Sequence, residues 1–198
     1  VFFAETWEDV VFAYWYLKEG NHNHETLVLD NVTMMQNLCS AYVLKEIARD
    51  GLRDPKTASQ REWGKIKQYM GPQLLDFRNL PMHVVFIAQE RTVDNEDEER
   101  TEKVPDLSPG VRAYATSCVD IIGRMQNRPF RRAVDKKEVT EWHNVMFTRE
   151  SEEYVSKDRD RYITKGFMVE PTVPRIVEAM KGKVDEPKPK KKSKKGKK

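Results

Sequence analysis

Cysteine is scarce in this chain, with two among 198 residues, Cys39 and Cys118. They lie far apart in apolar contexts, with no CxxC pair and no histidine at metal-ligand spacing, which argues against a structural zinc and a disulfide framework. Both are expected as reduced core residues. Long apolar runs are also missing: no stretch approaches the roughly 20 residues a membrane helix needs. The N-terminus lacks the basic, apolar and small-residue sections of a signal peptide. The expectation is therefore a cytoplasmic protein without membrane contact. There is no internal repeat. Nor is there a GxxxxGK followed by Ser or Thr, the loop whose amides and lysine cradle phosphates. Gly64-Lys65-Ile66 falls inside a helical pattern and does not substitute.

Charge is abundant, at 34% of residues and mixed in sign, with a formal net of +3. That net hides an asymmetry. Residues 183–198 hold nine lysines against Asp185 and Glu186, a net of +7, which leaves −4 on residues 1–182. Without an apolar residue after Val184, this tail cannot offset its ordering entropy and is expected to be disordered. Its lysines, Lys190, Lys191, Lys192, Lys194 and Lys195 among them, suit salt-sensitive contact with nucleic-acid phosphates. Residues 1–182 are expected to form one folded core.

Along that core, residues 1–4 (VFFA) read as a short strand, and Thr6-Trp7-Glu8-Asp9 as a capping box opening a helix to about Lys18. Trp7, Val10, Val11, Tyr14 and Leu17 mark its apolar face. His22 and His24 sit in a turn without a third ligand and read as surface residues. A strand at residues 27–31 is followed by a helix over 34–49. Ser59-Gln60-Arg61-Glu62 opens a long helix carrying Trp63, Ile66, Met70, Leu74 and Leu75, which Pro72 should bend. HVVFIA, residues 83–88, has the continuous apolar character of a central parallel strand. A helix near 111–116 and a strand at 118–122 follow. The alternation predicts an α/β fold with a mainly parallel sheet covered by helices on both faces. Residues 91–108 read as a polar loop with an acidic run. From Phe130 the pattern predicts antiparallel strands at 130–134, 142–149 and 153–157, then a short helix over 174–180. Tyr42, Tyr69 and Tyr114 read as packing residues, whereas Trp142 and His143, near a strand edge, are open to a stacking role.

The strand Leu27-Val28-Leu29-Asp30-Asn31 ends in a carboxylate, the Walker B pattern that holds the water shell of a nucleotide-bound magnesium ion. Together with Asn79-Leu80-Pro81 leading into HVVFIAQE, the segment ending Cys118-Val119-Asp120-Ile121-Ile122-Gly123, and Lys157-Asp158-Arg159, it resembles the RecA-like P-loop ATPase core. More narrowly, it is similar to phage nucleotide-binding AAA-domain proteins linked to recombination by single-strand annealing.

The resemblance implies ATP and Mg2+ as cofactors, with Asp30 and Asn31 at the nucleotide and Asp30 taking a magnesium-bound water. Gln89 would orient the attacking water or sense the γ-phosphate, since an amide both donates and accepts. Lys157 and Arg159, two apart on an expected strand and so on one face, would reach a neighbouring subunit's γ-phosphate. Single-stranded DNA would contact Arg91, Arg100 and Lys103 in the loop after Gln89, together with the lysine tail. Partners implied are further copies in a ring or filament and a single-strand-binding protein, in a bacterial cytoplasm. Because the phosphate-cradling loop precedes the strand-Asp element in that family, the chain is expected to be a fragment, inactive as an ATPase by itself. Two rivals stay open: a non-catalytic RecA-fold module that binds nucleic acid or oligomerises, and a helicase or packaging-type motor.

Overall fold

The computed structural model describes residues 1–49, 58–95, 100–134 and 137–182, so the expected disordered tail lies outside the described residues. The fold is mixed α/β, with a parallel strand pair and an antiparallel C-terminal part. The chain divides into two units. One comprises Val1–Val119 and Glu152–Val155; the other comprises Asp120–Ser151 and Ser156–Lys198.

In the first unit, residues 1–5 belong to no element, so the strand expected at 1–4 does not form. Apolar character alone does not make a strand, because the backbone needs a ladder partner, and the parallel pair is built from other segments. Helix α1 (Trp7–Lys18) has the expected start. The Thr6 hydroxyl accepts from the Asp9 N–H at 3.1 Å, and the Asp9 carboxylate accepts from the N–H groups of Thr6 and Glu5 at 2.9 and 3.0 Å. Those bonds, the Thr6 hydroxyl first, hold the Asp9 carboxyl below its usual range.

Strand β1 (Thr26–Asp30), helix α2 (Val32–Arg49) and helix α3 (Gln60–Arg78) follow, and β2 (His83–Ile87) pairs parallel with β1. Leu27, Leu29 and Phe86 pack onto a core that includes Trp7, Tyr14, Cys39, Ile66, Met70 and Phe77. The alternate face of the pair is open, with Val28 47% and Ile87 41% exposed. The expected cover on both faces is therefore present on one among the described residues. Ile66, Met70, Leu74 and Phe77 form the buried stripe of α3. Trp63, expected on that stripe, is exposed; at this first turn Glu62 is buried instead, its carboxylate accepting from the Ser59 N–H. The helix continues through Pro72 to Arg78. Gly71 lets Tyr114 approach, since a Cβ there would come within 2.8 Å of the tyrosine ring.

After β2 the expected polar loop proves to be an antiparallel hairpin, β3 (Glu90–Asn95) with β4 (Arg100–Pro105). Its polar composition masked the strands, but buried Val104, with buried Leu107 just beyond β4, fixes one end in the protein. Helix α4 (Pro109–Cys118) starts at a proline suited to the first turn. It takes in Cys118, which had been expected to open a strand. Residues 153–157, expected as a strand, contribute one parallel bridge, Tyr154 to Lys103, held by the Lys103 N–H to Glu153 carbonyl and Val155 N–H to Lys103 carbonyl bonds.

The second unit begins with β5 (Ile121–Ile122), then β6 (Arg124–Val134) and β7 (Lys137–Phe147), a long antiparallel hairpin. β8 (Lys157–Asp158) pairs antiparallel with β5, so the strand expected at 118–122 is shorter than predicted and is not part of the parallel pair. β9 (Phe167–Val169) pairs antiparallel with β7, and α5 (Val173–Met180) ends the described chain. Met146, Ile163, Met168 and Ala179 are the buried core here. Gly123 permits the close turn into β6, because a Cβ would fall 2.5 Å from the Met146 sulfur.

Candidate nucleotide site at the strand ends

Asp30 is the last residue of β1 and stands opposite Ile87 in the parallel ladder. Asn31, next in sequence, starts α2: its Oδ1 accepts from the Met34 N–H at 2.8 Å. Two residues beyond the end of β2 the chain reaches Gln89, whose N–H donates to the Thr33 hydroxyl at 3.1 Å. The Gln89 carbonyl accepts from the Asp106 N–H at 2.7 Å. Asp30, Asn31 and Gln89 are thus brought to one carboxyl edge of two adjacent strands, where α/β sheets bind ligands. The Asp30 and Gln89 side chains are exposed there.

Two residues that sequence reasoning passed over hold this edge together. Thr33 and Gln36 are buried polar residues in the first turns of α2. Thr33 receives the Gln89 N–H, and Gln36 Oε1 receives the Ser108 N–H at 2.8 Å, ahead of α4. Their spacing of three puts them on one side of the helix. The available signal was polarity at two sites amid Val32, Met35, Cys39 and Val43, all buried. A buried polar group needs a partner, and here the partners are the two chain segments that follow the parallel strand.

The donor set fits a nucleotide-bound magnesium ion. Among the described residues there is no cluster of three or more His, Cys, Asp or Glu able to cage a metal. Magnesium, which keeps its waters and is bound by one or two carboxylates plus substrate phosphates, requires none.

Lys157 and Arg159 belong to the second unit, and the strand carrying them ends at Asp158, so the argument that both project from one strand face does not hold. The Asp158 carboxylate turns the chain by accepting from the N–H groups of Tyr162 and Ile163 at 2.9 and 2.8 Å. The Arg159 guanidinium lies 3.0 Å from the Asp120 carboxylate, and the Arg159 backbone N–H donates to the Asp120 carbonyl. Arg91 and Lys103 are exposed and ion-paired, Arg91 with Asp106 and Lys103 with Glu90, each at 3.6 Å. Arg112, near Arg91, has its pKa lowered by burial and by that like charge. The side chain of Arg100 and all of Lys190, Lys191, Lys192, Lys194 and Lys195 lie outside the described residues.

Remaining candidates resolve locally. His22 Nε2 meets the Leu17 carbonyl at 2.8 Å, and its Nδ1 accepts from the His24 N–H at 3.2 Å, so both nitrogens serve the end of α1. Tyr42 packs edge-on against Tyr69 at 5.7 Å. Cys39 and Cys118 are both free and buried, and burial pushes the Cys39 thiol up to about 12. No described helix is long and apolar enough to cross a membrane.

A parallel strand pair that ends at Asp30 and Ile87, with Gln89 just beyond and clamped by the helix that follows the aspartate, has the layout of a P-loop-type nucleotide-binding domain. The model of the AAA domain family matches residues 2–160, and the chain belongs to that family. Nucleotide-binding, ATPase-like function is the character of the family. No curated protein and no solved structure matches the chain.

Proposed function

We propose that this chain supplies the magnesium-facing and γ-phosphate-facing side of an ATP site in a RecA-like ATPase that acts on single-stranded DNA in recombination or annealing. The observation that carries the reading is the Thr33–Gln89 bond, which ties the end of β2 to the start of α2 beside Asp30. Asp30 would hold a magnesium ion through one of its waters, and the Gln89 amide would accept from the attacking water while donating to a phosphate oxygen. The bound Mg2+·ATP supplies the anhydride bond to be broken and the charge neutralisation that the phosphates need. Asn31 fixes the helix start, so the Asp30 carboxylate is presented from a capped turn. Lys157 and Arg159 are assigned to a second copy's nucleotide in a ring or filament, with Asp120 holding Arg159 until that contact forms. Arg91 and Lys103 are secondary DNA contacts, because each must leave a carboxylate to reach a phosphate.

The test is amide NMR of the chain titrated with Mn2+·ATP, where the paramagnetic ion broadens nearby resonances. Broadening centred on residues 30–33 and 88–90, abolished by Asp30→Asn, is the expected result. Broadening confined to the lysine tail, or unchanged in D30N, would remove the nucleotide site from these strand ends.

A further inference from the structure

Most of the second unit's sheet extends beyond its core. β9 covers β7 at Val145, Met146 and Phe147, so from Asn144 outward β6 and β7 form a two-stranded arm. Residues alternate between two faces along both strands. One face carries Met146 and Met168 into the core, and farther along it Trp142 stands opposite Pro129. The other face has a buried point at Val145, with half-buried and exposed residues on either side of it. Its register rows are Phe147 with Arg124 and Phe167, Val145 with Gln126 and Val169, His143 with Arg128, and Glu141 with Phe130.

Aromatic and cationic groups on this second face form one connected stripe. Phe167 meets Phe147 with centroids 6.4 Å apart. The Arg128 guanidinium lies over Phe147 at 5.7 Å, and Val145, on the same face, is only 1% exposed. His143 then meets Phe130 edge-on at 5.3 Å. Phe167 and Phe130, at the two ends, are 39% and 41% exposed. From the Phe147 row to the Phe130 row the stripe runs about 20 Å at about 3.4 Å per residue. Charge points the same way. β6 has four arginines and no carboxylate, and residues 124–147 carry a net +3, while Glu141 and Glu170 lie against His143.

We propose that this second face of β6, β7 and β9 is a single-stranded nucleic-acid platform, with bases stacking on the exposed Phe130 and Phe167 and on the half-buried His143 and Phe147 beside them, and phosphates meeting Arg128. Exposed aromatics interleaved with cations on a sheet face are the combination that binds single strands irrespective of sequence. A protein partner fits less well, since the stripe alternates rings with charge instead of presenting a continuous apolar patch. The inference rests on the single-stranded-DNA part of the proposed function and names the surface responsible. It shifts the main contact from the hairpin after Gln89 to the second unit.

The experiment is fluorescence anisotropy of a labelled 20-nucleotide oligo(dT) with the full chain across a salt series, using Phe130→Ala, Arg128→Ala and Trp142→Ala, each checked for native circular dichroism. Expected are about tenfold weaker binding for F130A, the loss of roughly one stacked base. R128A should lower the slope of log affinity against log salt by about one contact, and W142A should bind as the parent does. If the chain binds but only W142A weakens it, or none of the three does, the assigned face is wrong while DNA binding stands. If no form binds oligo(dT) even at low salt, the single-stranded-DNA reading fails and takes the platform with it.

Discussion

The two hairpins of this protein share a geometry and differ in nearly everything else. The β3–β4 hairpin follows Gln89 directly, and residues 90–106 carry eight carboxylates against three cations, a net −5. Its described cations Arg91 and Lys103 are already paired with Asp106 and Glu90. The β6–β7 hairpin is net positive over residues 124–147 and shows aromatic rings to solvent. By position along the chain, the first is the obvious candidate for DNA, because it follows the strand end at which the nucleotide site is proposed. By charge, it is the worse one. Phosphate contact is dominated by counterion release, which scales with the number of cations that meet phosphates. A position argument therefore nominates a segment, and the charge and exposure of its side chains decide whether it can do the task.

The comparison can be broken most severely at the residues that anchor each hairpin. Leu107→Ala, beneath the end of β4, and Met168→Ala, beneath β7, each remove a side chain that is 1% exposed. Each should lower stability by about 2 to 5 kcal/mol in chemical denaturation. If the two units unfold separately, L107A should move one transition and M168A the other; movement of both by either variant would mean that they unfold together.

Charge reversal comes next in size. Arg128→Glu places a carboxylate in the middle of the aromatic stripe and should weaken oligo(dT) binding more than tenfold at low salt, converging on the parent at high salt as screening removes the difference. An effect that does not shrink with salt would point to a folding defect. In the acidic hairpin, the double change Glu90→Gln and Glu102→Gln frees Lys103 from its partner and removes two repulsive charges. It should strengthen binding about two- to threefold, read by the same anisotropy. A larger gain would show that this hairpin lies closer to the strand than its charge suggests. The smallest expected effect is that of Lys103→Ala, under twofold, because Lys103 is held by Glu90 in an exposed pair worth on the order of 0 to 1 kcal/mol and contributes little to phosphate contact while so held. A drop of tenfold would move the primary DNA contact back to β3–β4.

Thiol chemistry offers an independent check on the first unit. With its thiol raised to about 12 by burial, Cys39 should remain unmodified by a thiol reagent at pH 8 in native protein and react fully on unfolding. Rapid native labelling, quantified by mass spectrometry, would show that the α2–α3 packing opens.

What was legible in the sequence was whatever is written in local pattern. Thr6 with Asp9 and Ser59 with Glu62 announced two helix starts, because a cap is a contact between residues three apart. The runs LVLD and HVVFI announced the parallel pair, since only a largely apolar strand of that length suits such a sheet. Asp30 and Gln89 followed as strand-end residues by counting. The misreadings share a cause. Residues 90–105 looked like a loop because their side chains are polar, yet a hairpin needs only backbone pairing and one buried end at Val104. The Lys157–Arg159 pair looked like one face of a strand because period-two spacing carries no information about strand length, and the turn at Asp158 is set by contacts with Tyr162 and Ile163.

Local sequence carries the α/β alternation, the helix starts, the strand-end carboxylate and the placement of charge along the chain, all of which depend on residues within a few positions of one another. Long-range folding alone sets the bond from Gln89 to Thr33, a partner 56 residues away, the pairing of Arg159 with Asp120, and the placing of Phe130, Arg128, His143, Phe147 and Phe167 on one face. The physical reason is register. Which side chains meet across strands depends on how the backbone ladders align, and a shift of one residue would turn every ring on that stripe to the opposite side.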